Sequence, residues 1–312
     1  MRAVRCCDKQ VHVVDVPEPD GEGVLVNVGS AGICGSDLHM VELGFPFAGT
    51  IGHEVAGTLA DGRAVALEPI APCGHCDMCV KGDYVFCRRG PEMIYGVGMD
   101  GGMADRIRVP ERCIVPLPSN VRAADACLVE PLAVAAHGVA MLDIEPASRV
   151  AIVGAGAVGL AATAILTSHL DHVAVAARHD AQKEAATRLG ATLDPKGEYD
   201  AVVECAGNAA ALAQAARLCR PGGTILLLAT YWEEVVMPAG DICFKSLRVF
   251  ASSMYGQRGL VRDVEVAAQL MARRPELADI LITHRLPLDA APEAFAIAAD
   301  RGAGAIKVVL QP

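Results

Sequence analysis

The sequence predicts an α/β protein in which a doubly wound parallel sheet domain is joined to a second, mostly β domain. Three observations carry this expectation. From about Pro131 to Tyr255, Ala-rich helical stretches alternate with short β-branched runs: Arg149–Val153, His172–Ala176, Ala201–Glu204 and Thr224–Ala229. That alternation is the pattern of a parallel sheet flanked by helices. Before it, residues 1 to about 130 read as short apolar or alternating runs, such as Val11–Val16 and Val24–Val28, broken by Pro and Gly. Finally, 312 residues exceed one ordinary core, so two domains are expected. After Tyr255 come a helical stretch Val261–Arg273, an amphipathic stretch Pro292–Ala299 and a strand Ala305–Leu310.

Composition narrows the function classes. With 53% hydrophobic and 21% charged residues the chain is globular rather than disordered. A net charge of −10 repels a phosphate backbone, and no basic run offsets it, so no nucleic-acid partner is expected. The N-terminal stretch lacks the apolar core and cleavage site of a signal peptide. No uncharged apolar run reaches the 18 residues of a membrane span, so a cytoplasmic, membrane-free protein is expected. In that compartment the uneven spacing of the 12 cysteines favours metal over disulfides.

Four of them, Cys73, Cys76, Cys79 and Cys87, follow the spacing C-x2-C-x2-C-x7-C. Thiolates two residues apart reach one ion from a tight loop, and Gly74 and Gly82 let that loop bend. Four sulfurs suit tetrahedral Zn²⁺ and leave no open position, so this site reads as structural. An iron–sulfur cluster competes, but the Cys-Pro ending of the bacterial ferredoxin run is missing.

In the parallel-sheet region a buried strand enters Gly154-Ala155-Gly156-Ala157-Val158-Gly159, and a helical stretch Leu160–His169 follows. This strand–turn–helix context supports a dinucleotide-binding turn of the Rossmann kind. Gly154 permits the turn, Gly156 admits a pyrophosphate, and Gly159 allows helix and strand to pack closely. The tip of the next strand should carry the carboxylate that accepts the ribose 2′-OH of NAD. It reads Ala176-Ala177-Arg178-His179 instead, which leaves room for a 2′-phosphate and an Arg to pair with it. NADP is therefore favoured over NAD, with Asp180 as a shifted acceptor that would reverse the preference.

A second constellation lies upstream: Gly32-Ile33-Cys34-Gly35-Ser36-Asp37-Leu38-His39, then Gly52-His53-Glu54, then Glu130-Pro131-Leu132. A catalytic zinc takes three protein ligands and keeps one position open. Cys34, His53 and a carboxylate, Glu54 or Glu130, could supply them. Taken singly, each is more often a buried thiol or a satisfied core histidine.

Together these residues resemble the zinc-dependent medium-chain alcohol dehydrogenase family, over nearly the whole chain. Gly32–His39 looks like the family's G-x-C-G-[ST]-D-x-H segment and Gly52–Glu54 like its GHE. Cys73–Cys87 looks like its structural zinc lobe, Gly101–Asp105 like its GGFAE turn, and Leu281–His284 like its closing catalytic-domain segment. The resemblance implies a GroES-like, mostly β catalytic domain over 1–130, a Rossmann domain over 131–257, and a segment 258–312 completing the first. It implies a catalytic zinc on Cys34 and His53, completed by Glu54 or Glu130 as in the polyol, sugar and threonine dehydrogenase branches. Ser36 would bond the alcohol oxygen and pass its proton toward His39, Asp37 would orient His53, and Lys307 would lie near the pyrophosphate. The implied activity is hydride transfer between NAD(P) and a secondary alcohol, polyol, cyclitol or sugar, or the matching carbonyl compound. The assembly implied is a homodimer or homotetramer paired at the sheet edge around Val249. The alternative is an NADP-binding sensor of the same fold that has lost catalysis. This sequence departs from the family in its short His53–Cys73 and Met40–Ala48 segments, where Thr58–Gly62 lacks a hairpin most members carry.

Overall fold

The computed structural model describes residues 1–312, apart from the side chain of Arg301. The chain divides into two compact units, Met1–Ala133 with Gly256–Pro312, and Val134–Tyr255. No helix among the described residues is long and apolar enough to cross a membrane.

The Val134–Tyr255 unit is built on a six-stranded sheet. In spatial order its strands are Thr192–Leu193, His172–Ala176, Arg149–Val153, Tyr199–Glu204, Cys219–Leu227 and Arg248–Ala251. All neighbours are parallel. In chain order this is 3-2-1-4-5-6, so the winding reverses between Arg149–Val153 and Tyr199–Glu204. A strand in such a sheet is covered on both faces and reads as an unbroken apolar run. Val150, Ala151 and Ile152 accordingly have no solvent exposure. The expected Arg149–Val153 and His172–Ala176 strands lie where their patterns put them. The run beginning at Thr224 is the end of a longer strand, Cys219–Leu227. Helices Ala157–Leu166, Asp180–Arg188 and Ala209–Leu218 supply three crossovers.

The other unit carries a seven-stranded sheet. Its path runs Ile282–Pro287, Lys307–Gln311, Val24–Gly32, Glu54–Thr58, Ala64–Leu67, Ile114–Pro116, and Arg106–Val109 also pairs with Val24–Gly32. The C-terminal segment is thus woven into the sheet begun by the N-terminal residues. Val309 lies opposite Gly32, and Gly32 in turn lies opposite Glu54. The core beneath gathers Val26, Ile51, Val65, Met103, Phe295 and Leu310. Arg2–Cys7 and Gln10–Asp15 form a separate hairpin. Its two turn residues, Asp8 and Lys9, both take positive φ (49° and 61°), as a two-residue turn with the strands' own twist requires.

One expected boundary shifts. The helix expected from Val261 begins at Asp263, because Val261 and Arg262 pair with Gln257–Arg258 and the Glu265 carboxylate accepts the Arg262 amide at 3.1 Å. The short Thr58–Gly62 segment is a tight turn between two paired strands. Glu54–Thr58 and Ala64–Leu67 pair antiparallel across a tight turn closed by Leu59 and Arg63, whose amide and carbonyl lie 2.9 Å apart.

Candidate metal and cofactor sites

Cys34 sits where the strand Val24–Gly32 gives way to the helix Gly35–Leu43. Asp37, in the helix's first turn, accepts the Cys34 amide at 3.0 Å through Oδ2. This acceptance satisfies an amide at the helix start and aims the other carboxylate oxygen away from the helix. That oxygen, Oδ1, lies 3.3 Å from His53 Nδ1. Both atoms are fully buried and have no other partner. A proton on Nδ1 facing the carboxylate leaves the Nε2 lone pair free for a metal ion.

Glu54 is placed by strand pairing. Its register opposite Gly32 would drive any side chain at position 32 into the Glu54 carboxylate, so only glycine fits there. Ligand atoms of Cys34, His53 and Glu54 all lie within 4.8 Å of one another, as binding one ion requires. Ser36 Oγ is 3.4 Å from His53 Nε2. Burial works against a charged His53, yet Asp37 and Cys34 outweigh it and raise its pKa well above the usual range. Where His53 carries its second proton a metal must displace it from Nε2, which makes metal binding weaker at low pH.

Glu130 opens the helix Val129–Val139 and is 9% exposed. Burial pushes its carboxyl up to about 7, with His53 pulling the other way and Glu54 adding to the rise. It faces the same cluster but is not among the converging ligand atoms. His39 lies half-buried one helical turn beyond Ser36.

Lys307, expected beside a pyrophosphate, is already engaged within its own unit. Its ammonium is buried in the sheet unit, 2.6 Å from both Glu54 oxygens and 3.0 Å from the Ile33 carbonyl. Burial disfavours that charge, but Glu54 and Cys34 raise the pKa above the usual lysine value. Three hydrogen bonds use its three donors, so none is left for a phosphate. The sequence gives no sign of this pairing, which depends on two antiparallel registers meeting at Gly32.

The four-cysteine lobe is a different kind of site. Sulfur separations are 3.5 Å for Cys76–Cys79 and 3.9 Å for Cys73–Cys79 and Cys76–Cys87. A tetrahedron with the usual zinc–sulfur bond has edges of roughly 3.8 Å, so the four thiols fit one zinc. The Cys73 and Cys76 amides donate to Cys87 and Cys73 sulfurs at 3.3 Å. Amide donors from Arg88 and Cys79 pull Cys76 down to about 6. Burial holds Cys79 up to about 12. The lobe is tied to its unit through Glu68, a fully buried carboxylate. Tyr84 donates its hydroxyl to it, and Arg112 and Arg262 pair with it at 3.2 and 2.9 Å. Sequence reading missed Glu68, whose partners are 16 to 194 residues away.

In the parallel-sheet unit the three turn glycines have three distinct surroundings. Gly154 has φ +105°, and a Cβ there would meet Ala206 at 2.9 Å. A Cβ at Gly159 would strike the Gly154 carbonyl. Gly156, at the start of the helix Ala157–Leu166, faces open space. Two glycines thus serve packing, while the third leaves helix amides accessible to an anion. The turn follows Arg149–Val153, the strand beside the winding reversal, where such sheets bind ligands. Past the next strand, Ala177 and His179 are half-buried, and Arg178 is exposed with no ion pair among the described residues. Asp180 is engaged by Lys183 at 2.9 Å.

Residues 20–119 match the domain family described as the alcohol dehydrogenase GroES-like domain. Residues 123–311 match the glucose dehydrogenase C-terminus. L-galactonate-5-dehydrogenase of Escherichia coli K12 is 30% identical over 90% of this chain and 89% of its own length. The chain belongs to the zinc-dependent medium-chain alcohol dehydrogenase family. Solved structures agree with that placement. A Sinorhizobium meliloti protein classed provisionally as a zinc-binding dehydrogenase, and bound to NADP, is 30% identical with a TM-score of 0.86, covering 100% of this chain and 99% of that one. Galactitol-1-phosphate dehydrogenase of Escherichia coli is 26% identical with a TM-score of 0.88 and full coverage of both chains. Membership makes the two domains of this chain a GroES-like domain and a Rossmann domain.

Proposed function

We propose that this protein is a zinc-dependent oxidoreductase that moves a hydride between NADP and a secondary alcohol of a polyol or sugar, or the matching carbonyl compound. The observation that carries the reading is the convergence of the Cys34, His53 and Glu54 ligand atoms within 4.8 Å of one another. The named activities of relatives point to the same substrate class.

Cys34, His53 and Glu54 would hold the catalytic zinc, and Glu130 stands by as the second carboxylate. Cys73, Cys76, Cys79 and Cys87 would hold the structural one. When bound, the zinc supplies Lewis-acid polarisation of the substrate oxygen, and the nicotinamide supplies the hydride acceptor or donor. The chain's own part is positional. Asp37 fixes the His53 ring from behind, and Lys307 fixes Glu54. Ser36, 3.4 Å from the inner nitrogen of His53, is placed to bond the substrate oxygen and hold its proton. His39, on the same helix face, is the next proton holder toward solvent. In the Rossmann unit Gly154, Gly156, Ala157, Val158 and Gly159 would cradle the pyrophosphate, and Ala177, Arg178 and His179 would receive the adenosine ribose and its 2′-phosphate. All twelve cysteines are free thiols. A cytoplasmic location and a homodimer or homotetramer complete the proposal, the assembly being measurable by light scattering.

The test is a panel of polyols, cyclitols, sugars and amino alcohols, each with NAD and NADP, read at the nicotinamide absorbance. Turnover with a polyol or sugar supports the reading. Cofactor binding without turnover, with one zinc per chain, would instead identify a sensor. Replacing Arg178 with Ala should lower kcat/KM for NADP by about 10- to 100-fold, the worth of a charged hydrogen bond to phosphate. Activity with NAD should scarcely move, and an equal loss with both cofactors would remove Arg178 from phosphate recognition.

A further inference from the structure

Glu204 ends the strand Tyr199–Glu204, on the far side of the winding reversal from Arg149–Val153. It is completely buried. Oε1 accepts the amides of Ala206 at 2.7 Å and Gly207 at 2.9 Å, and Oε2 accepts the Tyr231 hydroxyl at 2.6 Å. No Lys, Arg or His pairs with it among the described residues. A buried carboxylate normally calls for a cation, and this one has only neutral donors.

Its position is specific. The loop it holds packs on the dinucleotide turn, since a Cβ at Gly154 would meet the Ala206 amide at 2.9 Å. On its other side the loop touches the segment after Cys219–Leu227, because a Cβ at Gly207 (φ +67°) would meet the Thr230 carbonyl at 2.7 Å. Three loops at the carboxyl ends of three strands therefore lie side by side, and Glu204 with Tyr231 joins two of them. In a doubly wound sheet the half before the reversal receives one mononucleotide and the half after it the other. The strand His172–Ala176 and Arg178 belong to the adenosine half. Glu204 and Tyr231 belong to the nicotinamide half. Burial and Glu204 together push the Tyr231 phenol upward, so it stays a donor. Burial and the same carboxylate push the neighbouring Cys205 thiol well upward.

We propose that Glu204, held by Tyr231 and two loop amides, is a positioning residue whose buried negative charge favours the oxidised, cationic nicotinamide ring over the neutral reduced one. This rests on the cofactor reading above. A fixed charge acts on the difference between two bound states and shifts their relative affinity even without contact.

The experiment measures dissociation constants of NADP⁺, NADPH, NAD⁺ and NADH by titration calorimetry on the wild type, Glu204→Gln and Tyr231→Phe. Glu204→Gln keeps the side-chain shape and should weaken the oxidised form about tenfold relative to the reduced form, as expected for loss of one charge nearby. Tyr231→Phe leaves the charge less shielded and should move the ratio about threefold the other way, the worth of one hydrogen bond. Equal weakening of both forms in Glu204→Gln, or an unchanged ratio in both variants, would overturn the proposal. Should Glu204→Gln fail to fold, the direction of the Tyr231→Phe shift alone decides. If the wild type binds none of the four nucleotides, the cofactor reading itself falls and this proposal with it.

Discussion

The two cysteine-bearing sites of the GroES-like unit follow opposite plans. Cys73, Cys76, Cys79 and Cys87 come from one short stretch, fifteen residues from first to last, and offer four donors of one element. Backbone amides donate to their sulfurs, and the flanking ion pair, Arg88–Asp77, is exposed. Cys34, His53 and Glu54 come from a helix start, a loop and a strand, and offer three different donors. Each of these donors has its own buried support: Asp37 behind His53, Lys307 on Glu54, and the Asp37 carboxylate again on the Cys34 amide. A closed shell of thiolates needs only the ion to hold it together. A mixed shell with room for substrate needs the protein to hold each ligand in place before the ion arrives. On the proposed function, the difference separates a brace from a reaction centre.

The contrast can be broken by substitution. Cys34→Ser should lower kcat by at least about a thousandfold, because the metal's share of transition-state stabilisation is several kcal/mol. Its thermal unfolding should stay close to that of the wild type, as unfolding of the intact lobe would show. Cys79→Ser should do the reverse. It should lower stability by about 3–5 kcal/mol through loss of a folding-linked metal, read by denaturant unfolding. The kcat per folded molecule should stay within about twofold, as expected of a distant site.

Lys307→Met sharpens the comparison from the side of the supports. In metal-free protein it strands the Glu54 carboxylate without its partner and should cost about 3–5 kcal/mol of stability. Zinc should restore part of that loss, and calorimetric scans with and without the metal would read it. A loss that zinc leaves untouched would mean that Glu54 does not share the ion. The smallest effect belongs to the lobe's exposed pair. Arg88 holds the Asp77 carboxyl below the usual carboxylate value. A depressed carboxylate contributes stability above its usual range, and that contribution fades as pH falls through it. Asp77→Asn should remove this acid sensitivity while leaving the melting temperature at neutral pH unchanged, since an exposed pair is worth little.

How much of each site the sequence revealed follows from the same contrast. The lobe was legible because its ligands are close in the chain and their spacing alone encodes a metal loop. The glycine turn was legible for the same reason: Gly154 makes the tight turn and Gly159 the close helix–strand packing assigned to them, and Gly156 faces open space. The strands Arg149–Val153 and His172–Ala176 were legible because burial on both faces forces an unbroken apolar run. The Lys307–Glu54 pair was not legible because a chain position says nothing about strand register. Only the pairing of Val309 with Gly32, and of Gly32 with Glu54, brings the ammonium to the carboxylate. Glu68 and Glu204 carry no motif, and their partners Arg262 and Tyr231 are reached through tertiary structure. The helix Gly35–Leu43 has no apolar face for periodicity to find. It is fixed instead by Asp37 at its start and by Gly44 in the left-handed conformation at its end.

The proposed function requires two zinc ions per chain on independent plans, one for support and one for chemistry. Zinc counted by atomic emission on purified wild type, Cys34→Ser and Cys79→Ser tests it most directly. Two ions per chain are expected in the wild type and one in each variant, with turnover surviving only where the Cys34 site keeps its metal. One ion per chain in the wild type, or full turnover in Cys34→Ser, would contradict it.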